Sequence, residues 1–134
     1  MRVVFDNNVL ISAALLEHST PYLAFRKAIL NDTILRAEEA LTELYRIINK
    51  AKFDKYFKKS NSREELITSF VAHSVKINIS IHIDECRDPK DNIFLELAIS
   101  GNADYIISGD DDLLVLNLFR GIPIITANEF LDKY

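Results

Sequence analysis

The chain has 134 residues, 49% hydrophobic and 27% charged, a composition that fits one folded domain over residues 1–134 and excludes disorder or coiled coil. No apolar run approaches the roughly 20 residues that span a bilayer, and Met1-Arg2-Val3-Val4-Phe5-Asp6 does not open a signal peptide. A single cysteine, Cys86, precludes an intramolecular disulfide, so the expected compartment is a reducing cytoplasm.

Arg2-Val3-Val4-Phe5 is a short apolar run ending at Asp6 and predicts a buried strand. A helix follows over about Asn8 to Leu16, and Thr20-Pro21 supplies an N-cap and first-turn proline for another reaching Leu30. Thr33-Ile34-Leu35-Arg36 predicts a second strand. Leu41, Leu44, Tyr45 and Ile48 then recur at helical spacing over Glu38 to Lys50. Ser62-Arg63-Glu64-Glu65 has the capping-box pattern for a helix through Leu66, Ile67, Phe70 and Val71. Ile77, Ile79, Ile81 and Ile83 alternate with polar residues, which predicts an edge or connecting strand. Asp91 opens a helix closed by Gly101. Asp104 to Ser108 and Gly121 to Ile125 predict two more strands, and Thr126 to Glu129 a capping box for a last helix. Short apolar strands alternating with helices imply crossover connections. The fold class is α/β, a three-layer α/β/α arrangement with a mostly parallel sheet of four to five strands.

The net charge is −4, yet its distribution is polar. Arg46 to Arg63 hold seven bases against the single acid Asp54, whereas Asp84 to Asp112 hold nine acids against Arg87 and Lys90. An acidic metal site beside a basic landing strip accounts for this, as does segregation onto two solvated faces. In open parallel sheets, sites form beyond the carboxyl ends of the strands. Asp6 and Asp110 end strands there, Asp112 follows, and Asp91 stands at a helix start. Each has a plain alternative: Asp6, Asp91 and Asn8 are also helix-capping types. Crowded carboxylates repel by about 1–4 kcal/mol per pair at contact, and oxygen-only ligands call for Mg2+ or Mn2+ rather than zinc. His18, His73, His82 and Cys86 show no zinc spacing, and no phosphate-cradling glycine loop or nucleophile elbow is present. Glu43 lies at the border of its helix's apolar face, where it either tilts inward or stays a surface glutamate; Glu38 and Glu39 are expected to face water.

Val3-Val4-Phe5-Asp6-Asn7-Asn8-Val9, Glu43, Arg87-Asp88-Pro89-Lys90-Asp91-Asn92 and Ile107-Ser108-Gly109-Asp110-Asp111-Asp112-Leu113-Leu114 together resemble a PIN domain. The similarity covers essentially the whole chain and is strongest to the VapC-like toxin components of toxin–antitoxin pairs. The resemblance implies a Mg2+-dependent ribonuclease with catalytic Asp6, Glu43, Asp91 and Asp110, metal ligands Asp6, Asp91, Asp110 and Asp112, and Asn8 in support. It turns Glu43 toward the site. It also implies an RNA substrate, a cognate antitoxin and a homodimer. Many relatives carry Thr or Ser where this chain has Asn7, and Ser where it has Ala37. Lys50, Lys52, Lys55, Lys58 and Lys59, with Phe53, Tyr56 and Phe57 between them, form a candidate RNA track, the aromatics otherwise being core or dimer contacts. Two other classes are a non-catalytic PIN-like RNA- or protein-binding module and a Mg2+-binding phosphoacceptor signalling domain. The latter calls for a lysine beside a nucleophilic aspartate, which the sequence does not place.

Overall fold

The computed structural model describes residues 1–57 and 62–134. Five strands, β1 (Arg2–Phe5), β2 (Thr33–Arg36), β3 (Ser74–Lys76), β4 (Tyr105–Ile107) and β5 (Ile124–Ile125), form one sheet in the order β3-β2-β1-β4-β5. Every pairing in it is parallel. The expected mostly parallel sheet is therefore wholly parallel and five-stranded. Around it lie α1 (Asn7–Leu15), α2 (Thr20–Asn31), α3 (Glu38–Ile48), α4 (Ser62–Ala72), α5 (Asn92–Ser100), α6 (Asp111–Leu114) and α7 (Ala127–Lys133). No helix among the described residues is long and apolar enough to cross a membrane.

Strand side chains alternate between two cores, as they must when helices cover both faces. Val3, Phe5, Ile34, Tyr105, Ile107 and Ile125 meet α1, α2, α3, α4 and α7 on one side. Val4, Leu35, Ile106 and Ile124 meet α5 and the chain around Ile83, Cys86 and Phe119 on the other. Beyond β1 the chain moves outward to β2 and β3, then crosses back to β4 on the far side of β1. The order reverses between β1 and β4, and that is where an open α/β sheet leaves a crevice at its carboxyl edge.

The expected strand over the isoleucines is displaced. β3 is Ser74–Lys76, and beyond it only Ile77 N–H continues the ladder, to Arg36 O at 2.8 Å. Ile77, Ile79 and Ile81 still pack inward, with Ile83 buried, because the extended segment lies over the second core. In-out alternation thus arose from packing on a core, without a partner strand. The N-cap of α2 is Ser19, one residue before Thr20, its hydroxyl accepting from Tyr22 N–H at 3.3 Å.

Gly101 ends α5 where a Cβ would meet Leu35 Cδ1 at 2.7 Å and Leu97 O at 3.1 Å. Leu35 is fully buried and cannot swing away. Gly101→Ala is expected to cost about 1–3 kcal/mol in denaturant unfolding; an unchanged midpoint would contradict this packing.

Candidate active site

Asp6 follows β1 and is 2% exposed. It serves as N-cap of α1, Oδ1 accepting Val9 N–H at 2.8 Å, while Oδ2 accepts the Ser108 hydroxyl. The same Ser108 oxygen accepts Asp110 N–H at 2.9 Å, so one buried hydroxyl ties the ends of β1 and β4 together. Burial pushes the Asp6 carboxyl up to about 6, the Ser108 and Val9 hydrogen bonds opposing the rise and the Asp110 charge adding to it. Asp110 caps α6 through Asp112 N–H at 2.9 Å. The capping alternative for Asp6 is therefore real, and the cap is what fixes this carboxylate at the crevice.

Asp91 behaves differently. It stands at the N-cap of α5 but makes no side-chain capping bond. Its Oδ2 is buried without a hydrogen-bond partner. Burial first, then the adjacent Asp110 carboxyl and the charges of Asp88 and Asp6, push Asp91 up to about 7. Oxygens of Asp88, Asp91 and Asp112 lie within 4.8 Å of one another. Asp88 was not anticipated from the sequence. It caps the 3₁₀ turn Pro89–Asp91, accepting Lys90 N–H at 3.1 Å, and the Asp-Pro pair was the signal that marked it. Asp112 also pairs with the exposed Arg87 at 2.8 Å.

A cavity of about 500 Å3 opens over this edge, lined by Asp6, Asn7, Asn8, Asp88, Asp91 and Asp110 and walled by α3. Glu43 and Glu39 both border it, and Glu39 is also exposed to water as expected. One helical turn separates the two, so a face that presents one presents the other. Glu43 forms a forked ion pair with Arg46, Oε2 accepting Arg46 Nε–H at 3.0 Å, and this guanidinium holds its carboxyl below the usual range. Glu38 pairs instead with Arg36 at 3.2 Å. Asn7 donates from Nδ2 to Ala40 O at 3.0 Å and fastens α3 to the turn after Asp6. Ala37 caps α3 without a side-chain bond. Asn8 is exposed at the cavity edge.

Of the basic track, Lys50 reaches the cavity, as do Arg46 and Lys90. Lys52 and Lys55 lie outside it on the 3₁₀ segment Ala51–Tyr56, over the rings of Phe53 and Tyr56. Lys58 and Lys59 fall outside the described residues. Phe53 and Phe57 pack against the first core, leaving Tyr56 as the most exposed of the three rings.

The sequence pattern of the PIN domain matches residues 2–112. The chain belongs to the PIN-domain family. It is 31% identical over 148 aligned residues to the uncharacterized protein MJ1680 of Methanocaldococcus jannaschii, spanning 100% of this chain and 92% of that protein. The same fold occurs in the crystal structure of VapBC2 from Rickettsia felis bound to a DNA fragment from their promoter. There the TM-score is 0.62 at 14% identity, covering 94% of this chain and 98% of that one. In this PIN domain the donors at the crevice are oxygens alone, and one buried oxygen has no partner. That set fits a hard divalent cation.

Without a divalent cation, the raised Asp6 carboxyl has a definite consequence for stability. The folded state binds this proton more tightly than the unfolded state does, so stability falls as pH rises from about 4 to about 6. The loss from Asp6 is roughly 2–3 kcal/mol and complete above that window. In EDTA, Asp6→Asn is expected to flatten the fall seen for wild type between pH 4 and pH 7 in denaturant melts. Parallel pH profiles for the two proteins would contradict the burial argument.

Proposed function

We propose that this PIN domain, as a single nuclease domain over residues 1–134, is a Mg2+-dependent ribonuclease hydrolysing RNA phosphodiester bonds. The observation that carries the reading is Asp91 Oδ2, buried and without a hydrogen-bond partner among carboxylates whose charge a divalent cation would neutralise at neutral pH. Asp6, Asp91 and Asp110, with Asp112 and Asp88 beside them, are the residues to hold Mg2+ or Mn2+. Such an ion supplies a water of lowered pKa and neutralises charge on the phosphate.

The remaining roles fall to side chains already positioned. Ser108 and the Val9 N–H lock the Asp6 carboxylate in one orientation, so no reorganisation is needed when substrate arrives. Glu43, lowered by its pairing with Arg46, gains basicity for accepting a proton from an attacking water only when that pair opens. Asn8 at the rim offers an amide for a water or the substrate. Lys50, with Lys52, Lys55, Lys58 and Lys59, neutralises phosphates of a single strand passing the cavity.

The fold neighbour in VapBC2 supports a toxin role with a cognate antitoxin, and the resemblance to VapC-like toxins extends this reading to a homodimer acting in the cytoplasm. A phosphoacceptor reading gains one feature the sequence did not place, Lys90 in the cavity. Against it, both oxygens of Asp6, the carboxylate at the central strand end, are hydrogen-bonded in a site 2% exposed, a poor setting for a nucleophile.

Asp91→Asn is expected to lower Mg2+-dependent cleavage of single-stranded RNA by at least about 100-fold. Glu43→Gln should fall comparably, and Glu38→Gln, paired away from the cavity, should retain wild-type rates. Equal cleavage by wild type and Asp91→Asn, with contaminating nuclease removed, would overturn the reading.

A further inference from the structure

The cavity mouth carries a charge pattern that the acidic floor does not explain. Glu43, Arg46 and Lys50 are spaced three and four residues apart, which places them along one face of α3 and its end. Lys90 approaches the same mouth from the Pro89–Asp91 turn, and all four residues line the cavity. Glu43 feels all three cations: Arg46 by direct contact, Lys90 and Lys50 through their charge. Two glutamates, Glu43 and the exposed Glu39, thus stand against three positive groups, and only Glu43 pairs with one of them among the described residues. The surplus stands at the entrance to a floor built of aspartates.

We propose that Arg46, Lys50 and Lys90 form a phosphodiester-binding subsite at the cavity mouth, and that Arg46 exchanges the Glu43 carboxylate for a substrate phosphate on binding. The proposal deepens the nuclease reading and rests on it for the identity of the polyanion. Three physical points carry it. A guanidinium fork fits a carboxylate and a phosphate by the same pair of parallel hydrogen bonds, so the exchange conserves contacts. The pair being broken is exposed, with Arg46 55% and Glu43 38% accessible, and exposed pairs are weakly held. A polyanion approaching the four aspartates that line the cavity is repelled unless cations stand between, and among the described residues Arg46, Lys50 and Lys90 are the cations lining it. The exchange leaves Glu43 unpaired when substrate is present, which couples binding to completion of the acidic set.

The test is the binding of a short labelled 2′-O-methyl oligoribonucleotide, which resists hydrolysis, to the full chain in EDTA across a salt series. Arg46→Gln, Lys50→Gln and Lys90→Gln should each flatten the slope of log affinity against log salt by up to about 0.7, and the triple variant by about 2. Arg46→Lys should keep the slope but bind more weakly, since it retains the charge and loses the fork. Glu43→Gln should bind the oligonucleotide more tightly than wild type, because the competing carboxylate is gone. Wild-type slopes in the three glutamine variants, or weaker binding by Glu43→Gln, would overturn the subsite. The expected slope changes in the variants, together with a wild-type protein that never cleaves RNA with Mg2+, would sustain the subsite and overturn the nuclease reading. Cleaving protein whose slope is indifferent to all three cations would do the reverse.

Discussion

Five aspartate carboxylates gather at the carboxyl edge of this sheet, and their mutual repulsion is the constraint to which the surrounding structure answers. Burial pushes Asp6 up to about 6 and Asp91 to about 7, and the neighbouring carboxylates add to both shifts. A fold tolerates such a site only if other interactions hold the strand ends in place. Val3, Val4 and Phe5 bury both faces of β1, and the Ser108 hydroxyl joins the ends of β1 and β4 through Asp6 and the Asp110 backbone. The same two aspartates start α1 and α6, Asp6 through its other oxygen and Asp110 through Oδ1. Capping and function therefore draw on one set of side chains. The Asp91 carboxylate, which caps nothing, is left strained by its neighbours and open to a cation.

Around this floor the charge changes sign. Arg46, Lys50 and Lys90 stand at the mouth, and α3 is fastened to the floor by the Asn7–Ala40 hydrogen bond. Acid below and base above is the electrostatic profile suited to a chain of phosphates whose one linkage must reach a metal. Field lines focus in such a cleft, which raises the local concentration of a polyanion even though the whole chain carries −4.

Much of this was legible in the sequence, for reasons that differ by element. The strands β1, β2, β4 and β5 are apolar runs stopped by Asp, Gly or a capping residue, and burial on both faces makes such runs unambiguous. β3 was not, because Ser74, Val75 and Lys76 contain one apolar residue, and Val75 is 47% exposed on an edge strand. The isoleucines beyond it had the alternation of a strand because one side packs on a core. Asp6 and Asp110 were visible from their positions at strand ends. Asp88 was hidden by its ordinary duty as cap before Pro89, and Ser108 by being a small polar residue at the end of an apolar strand. Glu39 is exposed as its helical phase implied, but helical periodicity reports the apolar face alone and is silent on the cavity that opens beside it.

The central claim, that the crowded carboxylates are a divalent-cation site, is tested most directly by anomalous scattering from a crystal grown or soaked with Mn2+. The account predicts a peak in the cavity ligated by the Asp91 carboxylate together with Asp6 or Asp110. A cavity without anomalous density at saturating Mn2+, or Mn2+ bound only on the outer surface, would contradict it.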